Sequence, residues 1–295
     1  MGALRAAALG VLLSLAACPM AWARPDPNQP MDDSILRSRA TGYHFQTFTL
    51  DSADSHRHYQ IWIGKPDRQV PPTGYPVLYM LDGNAALSAL KPDDLRALNQ
   101  GTAPVLVAIG YTGGKRIDRQ ARTLDYTPGP SGADPMTQLP TGGAEAFLDL
   151  LEHQIKPAVA QRLVVDSHQQ TLWGHSYGGL LVLNALLTRP HSFQRYAAAS
   201  PSLWWWGPER LKAALAGLEQ RLQGMPTCVL LMHGGAEASA PRSPQAQGEQ
   251  ADKSLQELHT TLQAVPSVQT TYQTFPGLNH GPMLEASLRY MLQHM

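Results

Sequence analysis

The sequence predicts an α/β domain with a mostly parallel central sheet and helices on both faces. Short apolar runs bounded by Gly or Pro alternate with longer amphipathic stretches, the pattern of strands buried on both faces and joined by crossover helices. The chain of 295 residues is 43% hydrophobic, enough for a sizeable core, and shows no internal repeat. A Gly-x-Ser-x-Gly at 174–178 also stands between a strand pattern and a helix pattern. Lys and Arg total 23 against 23 Asp and Glu, so the electrostatic footprint of a general nucleic-acid binder is missing. Two cysteines cannot staple a disulfide scaffold.

The first element is read as an address. One positive charge in Met1–Arg5, an apolar run over Ala6–Ala17 and the small-x-small Ala21-Trp22-Ala23 predict a signal peptide over 1–23 and an exported, periplasmic domain over 24–295. A rival reading makes Leu15-Ala16-Ala17-Cys18 a lipobox; a membrane attachment follows only if Cys18 is lipidated. Without the leader only Cys228 remains, in an apolar run that suits a reduced core thiol.

The elements then follow in order. Period-2 stretches at Tyr43–Leu50 and His56–Ile63 predict a paired antiparallel start. Strands buried on both faces are expected at Pro76–Leu81 and Pro104–Ile109, and further strands at Gln170–Trp173, Tyr196–Ser200, Cys228–His233 and Val268–Phe275. Helices are expected at Ala144–Leu163, Tyr177–Leu187, Pro208–Leu222, Gln250–Leu262 and Met283–His294. Thr127–Gly143 and Gly234–Gly248 read as long loops, either lids or mobile connections.

Gly174-His175-Ser176-Tyr177-Gly178 places a serine on a sharp strand-to-helix turn, with glycines where the backbone folds back on itself. Serine is a weak nucleophile and requires a base. His280 lies in Pro276–Gly281, after the last strand and before the last helix, where a parallel sheet delivers a residue over its carboxyl edge. His191, His233, His259 and His294 are less well placed. For the acid that would orient the imidazole, Glu237 follows strand Cys228–His233, with Glu249, Asp252 or a bare Ser–His dyad as alternatives. The backbone N–H of Tyr177 and one from Gly83-Asn84, with Asn84 preferred, are the expected oxyanion donors; an ordinary β-turn is the bland alternative for the latter.

At these residues the chain resembles the esterase-D-like branch of α/β-hydrolases, and within it the siderophore esterases that open enterobactin and salmochelin. The resemblance runs from about Tyr43 to the C-terminus. It is carried by YMLDGNAAL at 79–87, RQARTLDYTP at 119–128, GGAEAFLDLLEHQIKP at 142–157, GHSYGG at 174–179, SPSLWWW at 200–206 and PGLNHGPM at 276–283. It implies a serine esterase acting on a catecholate trilactone that usually carries ferric iron, with Ser176 as nucleophile and His280 as base. Arg119 or Arg122 and the Trp204, Trp205 and Trp206 segment become candidate substrate contacts. The residues suit such a ligand, because Lys115, Arg116, Arg119 and Arg122 place four cations within eight positions and three tryptophans offer flat surfaces for catechol rings.

No cofactor is called for: the chain has no Walker or G-x-G-x-x-G pattern. No metal site is called either, since His56 and His58 lack a third ligand nearby in sequence. Two other functions compete with a siderophore esterase. One is the same machinery on other esters (a carboxylesterase, acetyl or feruloyl esterase, thioester hydrolase or acyltransferase). The other is a binding protein that retains a ferric siderophore without turning it over.

Overall fold

A computed structural model describes residues 29–237 and 248–295. The predicted leader, Cys18 and most of the Gly234–Gly248 stretch lie outside the described residues. After a short helix α1 (Ser34–Arg37), the chain lays down β1 (Tyr43–Asp51) and β2 (His58–Pro66) as an antiparallel pair. It continues through β3 (Tyr75–Met80), α2 (Gly83–Ala89), α3 (Pro92–Gln100), β4 (Val105–Tyr111) and α4 (Arg119–Tyr126). A two-stranded hairpin, β5 (Gly132–Ala133) with β6 (Pro140–Thr141), leads to a helical rod. The rod comprises α5 (Ala144–Leu150), a π turn over Leu151–Ile155 and α6 (Lys156–Ala160).

The second half holds β7 (Val165–His175), α7 (Tyr177–Thr188), β8 (Arg195–Ala199), α8 (Gly207–Leu215), α9 (Leu218–Leu222) and β9 (Thr227–Gly234). It ends with α10 (Gly248–Gln263), β10 (Val268–Phe275) and α11 (Met283–Gln293). The main sheet has eight strands in the order β1-β2-β4-β3-β7-β8-β9-β10. β2 runs against both its neighbours, and every pair from β4 to β10 is parallel.

Alternate residues of the central strands feed two cores. Ile61, Ile63, Val77, Tyr79, Val107 and Leu172 face the layer of α5, α7 and α10. Trp62, Leu78, Met80, Leu106 and Trp173 face α2, α3 and α11. This alternation is the pleat of a strand buried on both sides, so no solvent face remains to mark the strands in sequence.

Three expectations differ from the structure. α2, α3 and α4 were not anticipated: α2 is apolar all round, while α3 opens on Pro92 with Asp93 and Asp94 in its first turn, a legible helix start. The helix expected over Pro208–Leu222 breaks at Gly217, which has φ of 71°. The rod from Ala144 stops at Ala160 and takes its π turn just before Pro157, whose missing N–H cannot join an α-helical ladder.

Candidate active site

The site sits at the carboxyl edge of the sheet, where β3, β7, β8 and β9 end beside each other. Ser176 follows β7 directly and holds φ 61° and ψ −118°, a region costly for a residue with a side chain. The glycines explain how the turn closes. A Cβ on Gly174 would stand 2.5 Å from the carbonyl carbon and oxygen of Gly178, and one on Gly179 would stand 2.9 Å from the Ala199 carbonyl oxygen. The turn is fixed from beneath by the Ser176 N–H, which donates to Ala199 O at 2.9 Å.

His280 reaches this serine from the loop between β10 and α11. Its Nε2 is 3.0 Å from Ser176 Oγ, and its Nδ1 is 3.1 Å from Glu237 Oε2. The Glu237 side chain is 11% exposed and its other oxygen is fully engaged. Oε1 accepts the Gly234 N–H at 3.0 Å and the Ser200 hydroxyl. Burial pushes the Glu237 carboxyl up, but the hydrogen bond and charge of His280, with help from Ser200 and His233, bring it below the ordinary value. With a carboxylate on Nδ1, that nitrogen carries the proton and Nε2 is left as an acceptor toward Ser176. Serine, imidazole and carboxylate thus form one hydrogen-bonded line, which brings together three residues spread over 105 positions of sequence.

The second line of contacts concerns Arg122. Its guanidinium grips Asp82 with both arms, Nε to Oδ1 at 2.8 Å and Nη2 to Oδ2 at 2.9 Å, and Nη2 also reaches the His175 carbonyl at 3.4 Å. The carbon of that group lies 5.5 Å from the ring centres of both Tyr126 and Tyr177. Arg122 is 12% exposed. Its charge is therefore spent inside the protein, whereas Arg119 stands exposed at the start of α4. Sequence spacing could not separate the two, because residues three apart are neighbours on one helix face and only the packing shows which of them is buried.

Asp82 itself adopts φ 50° and ψ 47°, and its N–H donates to the Tyr126 hydroxyl at 3.0 Å. Asn84 cannot lend its side chain to a substrate: Nδ2 donates to Tyr111 O at 3.1 Å and Oδ1 accepts from Tyr111 N at 2.9 Å. Only its backbone N–H, with that of Gly83, remains for the role expected of this turn. Tyr177 is buried, its ring 6.0 Å from Trp204 and 5.9 Å from Trp205, and its hydroxyl donates to Asp134. Asp134 is fully buried in the Thr127–Gly143 segment, where its other oxygen accepts the N–H groups of Met136 and Thr137 at 2.8 Å each. That segment is thereby pinned to the elbow. Trp205 adds a second tie through Nε1 to Pro128 O at 2.9 Å.

The three tryptophans are consequently unequal. Trp206 is 9% exposed and belongs to the core, whereas Trp204 and Trp205 are half-buried against Tyr177. Asp134 was not anticipated from sequence, since nothing in a Pro- and Gly-rich segment marks one aspartate as the partner of a distant tyrosine.

Comparison with known proteins follows the same outline. The family described as Putative esterase matches residues 52–293. The apo-salmochelin esterase of Escherichia coli O6:H1 is 37% identical over 289 residues, covering 95% of this chain and 87% of that protein. The solved enterobactin and salmochelin hydrolase IroE superposes with a TM-score of 0.72 at 35% identity, covering 88% of this chain and 98% of that one. The BES protein of Bacillus cereus superposes equally well, with a TM-score of 0.72 at 28% identity over 84% of this chain and 94% of that one. With the nucleophile turn, the sheet order and a family match spanning most of its length, this chain belongs to that esterase family of α/β-hydrolases.

Proposed function

We propose that this protein is a serine esterase that hydrolyses the ester bonds of a catecholate trilactone siderophore, of the enterobactin or salmochelin type, and so releases its iron. Ser176 attacks the ester carbonyl while His280 Nε2 takes the hydroxyl proton, and Glu237 stabilises the resulting imidazolium. The charge that develops on the carbonyl oxygen goes to the N–H of Tyr177 and that of Asn84 or Gly83. Collapse of the tetrahedral intermediate expels the seryl alkoxide of the substrate, which receives the proton from His280. A water molecule, deprotonated by the same imidazole, then cleaves the acyl-enzyme.

The observation that carries this reading is the unbroken line from Ser176 Oγ through His280 to Glu237, with distances of 3.0 and 3.1 Å. The substrate class rests on relatives named for salmochelin and enterobactin, and on exposed cations and aromatic rings that suit an anionic aromatic ligand. Arg119, at the start of α4, and Lys115, just before that helix, are exposed. A ferric tris-catecholate is strongly anionic and would be drawn to such cations, with Trp204 and Trp205 offering ring faces.

The predicted address implies export: a signal peptide over 1–23, a periplasmic domain over 24–295, and a membrane contact only through a lipidated Cys18. Among the described residues no helix is long and apolar enough to cross a membrane. The test incubates mature protein, and separately Ser176→Ala, with apo and ferric enterobactin and follows products by mass spectrometry. Linear trimer, dimer or monomer from the wild type alone is the expected result. An intact macrocycle in both iron states refutes the substrate, and cleavage by Ser176→Ala refutes the nucleophile.

A further inference from the structure

We propose that His175, the residue between Gly174 and the serine, is a positioning residue that keeps the His280 loop in register with Ser176. The inference rests on His280 being the base. His175 Nε2 lies 2.9 Å from the main-chain carbonyl oxygen of His280, and the two rings face each other with centres 4.7 Å apart. A carbonyl can only accept, so Nε2 of His175 carries the proton and the tautomer is fixed.

The loop that carries His280 has little else to hold it there. Leu278 O accepts the Ala236 N–H at 2.9 Å, and Met283 is fully buried at the start of α11. Between those anchors, a Cβ atom built on Gly281 would meet nothing within 4 Å. Among the described residues, the His175 contact is the one hydrogen bond to the main chain of Asn279 or His280. His175 is joined to Ser176 by a peptide bond, so the tether ties the base directly to the nucleophile: when the turn shifts, the base moves with it.

The imidazole of His175 is also suited to stay uncharged through turnover. It is 7% exposed, and the groups facing it are His280 from the loop, Arg122 from α4 and Arg116 from the segment before α4. Burial first, then the positive charge of His280 and of Arg122, hold its pKa well below the ordinary histidine range. A second imidazolium beside His280 would oppose the charge that His280 must acquire as it accepts the serine proton. A neutral donor of fixed tautomer does not.

The competing account is that His175 only fills space, and substitutions that separate a donor from a volume decide between them. Hydrolysis of a short p-nitrophenyl ester is measured for wild type, His175→Met, His175→Gln, Ser176→Ala and His280→Ala. His175→Met keeps the bulk and loses the N–H. It should lower kcat about 10- to 100-fold with KM nearly unchanged, the range expected when a reacting group is misplaced by about 1 Å. His175→Gln, whose Nε2 can donate to the same carbonyl, should recover most of that loss. The inference is overturned if His175→Met keeps wild-type kcat, or if His175→Gln falls as far as His175→Met. Activity retained by Ser176→Ala or His280→Ala would instead remove the catalytic reading beneath it. Nitrogen-15 NMR of wild type decides the matter even if His175→Met does not fold. An Nε2–H tautomer that stays neutral on acidification supports the tether, and an Nδ1–H tautomer or a readily charged His175 refutes it.

Discussion

Replacing Glu237 by Gln alters one atom, and the surroundings of that carboxylate dictate the consequence. Oε1 sits against the Gly234 N–H at 3.0 Å and the Ser200 hydroxyl. The hydroxyl can rotate to suit either partner, but a backbone N–H can only donate, so the glutamine must keep its oxygen there. Its NH2 group then occupies the place of Oε2, 3.1 Å from His280 Nδ1. Two donors cannot face each other, and His280 is driven to the tautomer with the proton on Nε2. That nitrogen then points its proton at Ser176 Oγ, 3.0 Å away, and can no longer accept one. An amide that imposes the wrong tautomer in a serine protease triad lowers kcat by about 10⁴, equivalent to about 5 kcal/mol of barrier. Because the fold keeps both hydrogen bonds at Oε1, unfolding in urea should change by less than about 1 kcal/mol. The assay is kcat on a short p-nitrophenyl ester with urea unfolding in parallel. A Glu237→Gln protein within tenfold of wild type would show that Glu237 does not set the state of His280.

Other perturbations follow from the same contacts. Arg122→Met strands the buried carboxylate of Asp82 and should cost about 3–5 kcal/mol in urea unfolding; a loss under about 1 kcal/mol would refute the clamp. Burial pushes Asp125 up to about 7, against the pull of Arg57 and the hydroxyls of Tyr59 and Tyr111. A carboxyl raised in the fold contributes stability below its unfolded pKa and loses it as pH rises through the folded value. Wild type should therefore lose stability relative to Asp125→Asn between about pH 4 and 7, by up to about 1.4 kcal/mol per pH unit. A pH-independent difference would contradict this. Burial lowers Lys156 to about 8, so reductive methylation should yield an N-methyl signal that titrates near there and is lost in Lys156→Met. Gly174→Ala drives a methyl group into the Gly178 carbonyl, and a variant with wild-type activity and melting temperature would refute the tight turn.

The sequence made the sheet legible because its central strands are short, apolar and bounded by Gly or Pro. It missed α2 for the same reason, since GNAALSA is buried on nearly every side and shows no period of 3.6. Ser176 and His280 were readable because each stands at a junction between a strand pattern and a helix pattern, and chain order narrows the choice. Asp134 and His175 carried no such mark. Both act through a partner distant in sequence, Tyr177 in one case and a main-chain carbonyl 105 positions away in the other, and a contact of that kind leaves no local pattern.

Arg122 shows why a charge count alone does not locate a binding site. Four cations in eight positions suggest one basic rim, yet only Arg119 and Arg122 stand on α4, and one is exposed while the other is buried against the sheet edge. α4 begins at Arg119 and is capped by Asp118, whose Oδ1 accepts the Ala121 N–H at 3.0 Å. Arg122, three residues on, falls on the side that meets the turn after β3 and the turn after β7. One of those turns supplies Tyr177 and the other Gly83 and Asn84, the N–H groups assigned to the oxyanion. By gripping Asp82 and the His175 carbonyl together, the guanidinium ties these two turns to each other. It also places a matched ion pair where an unmatched cation would compete with the imidazolium of His280. Arg119 and Lys115, by contrast, are exposed. If the proposed siderophore reading holds, Arg119→Ala should raise KM on ferric enterobactin while leaving p-nitrophenyl ester hydrolysis intact. A fall in both activities together would refute that prediction.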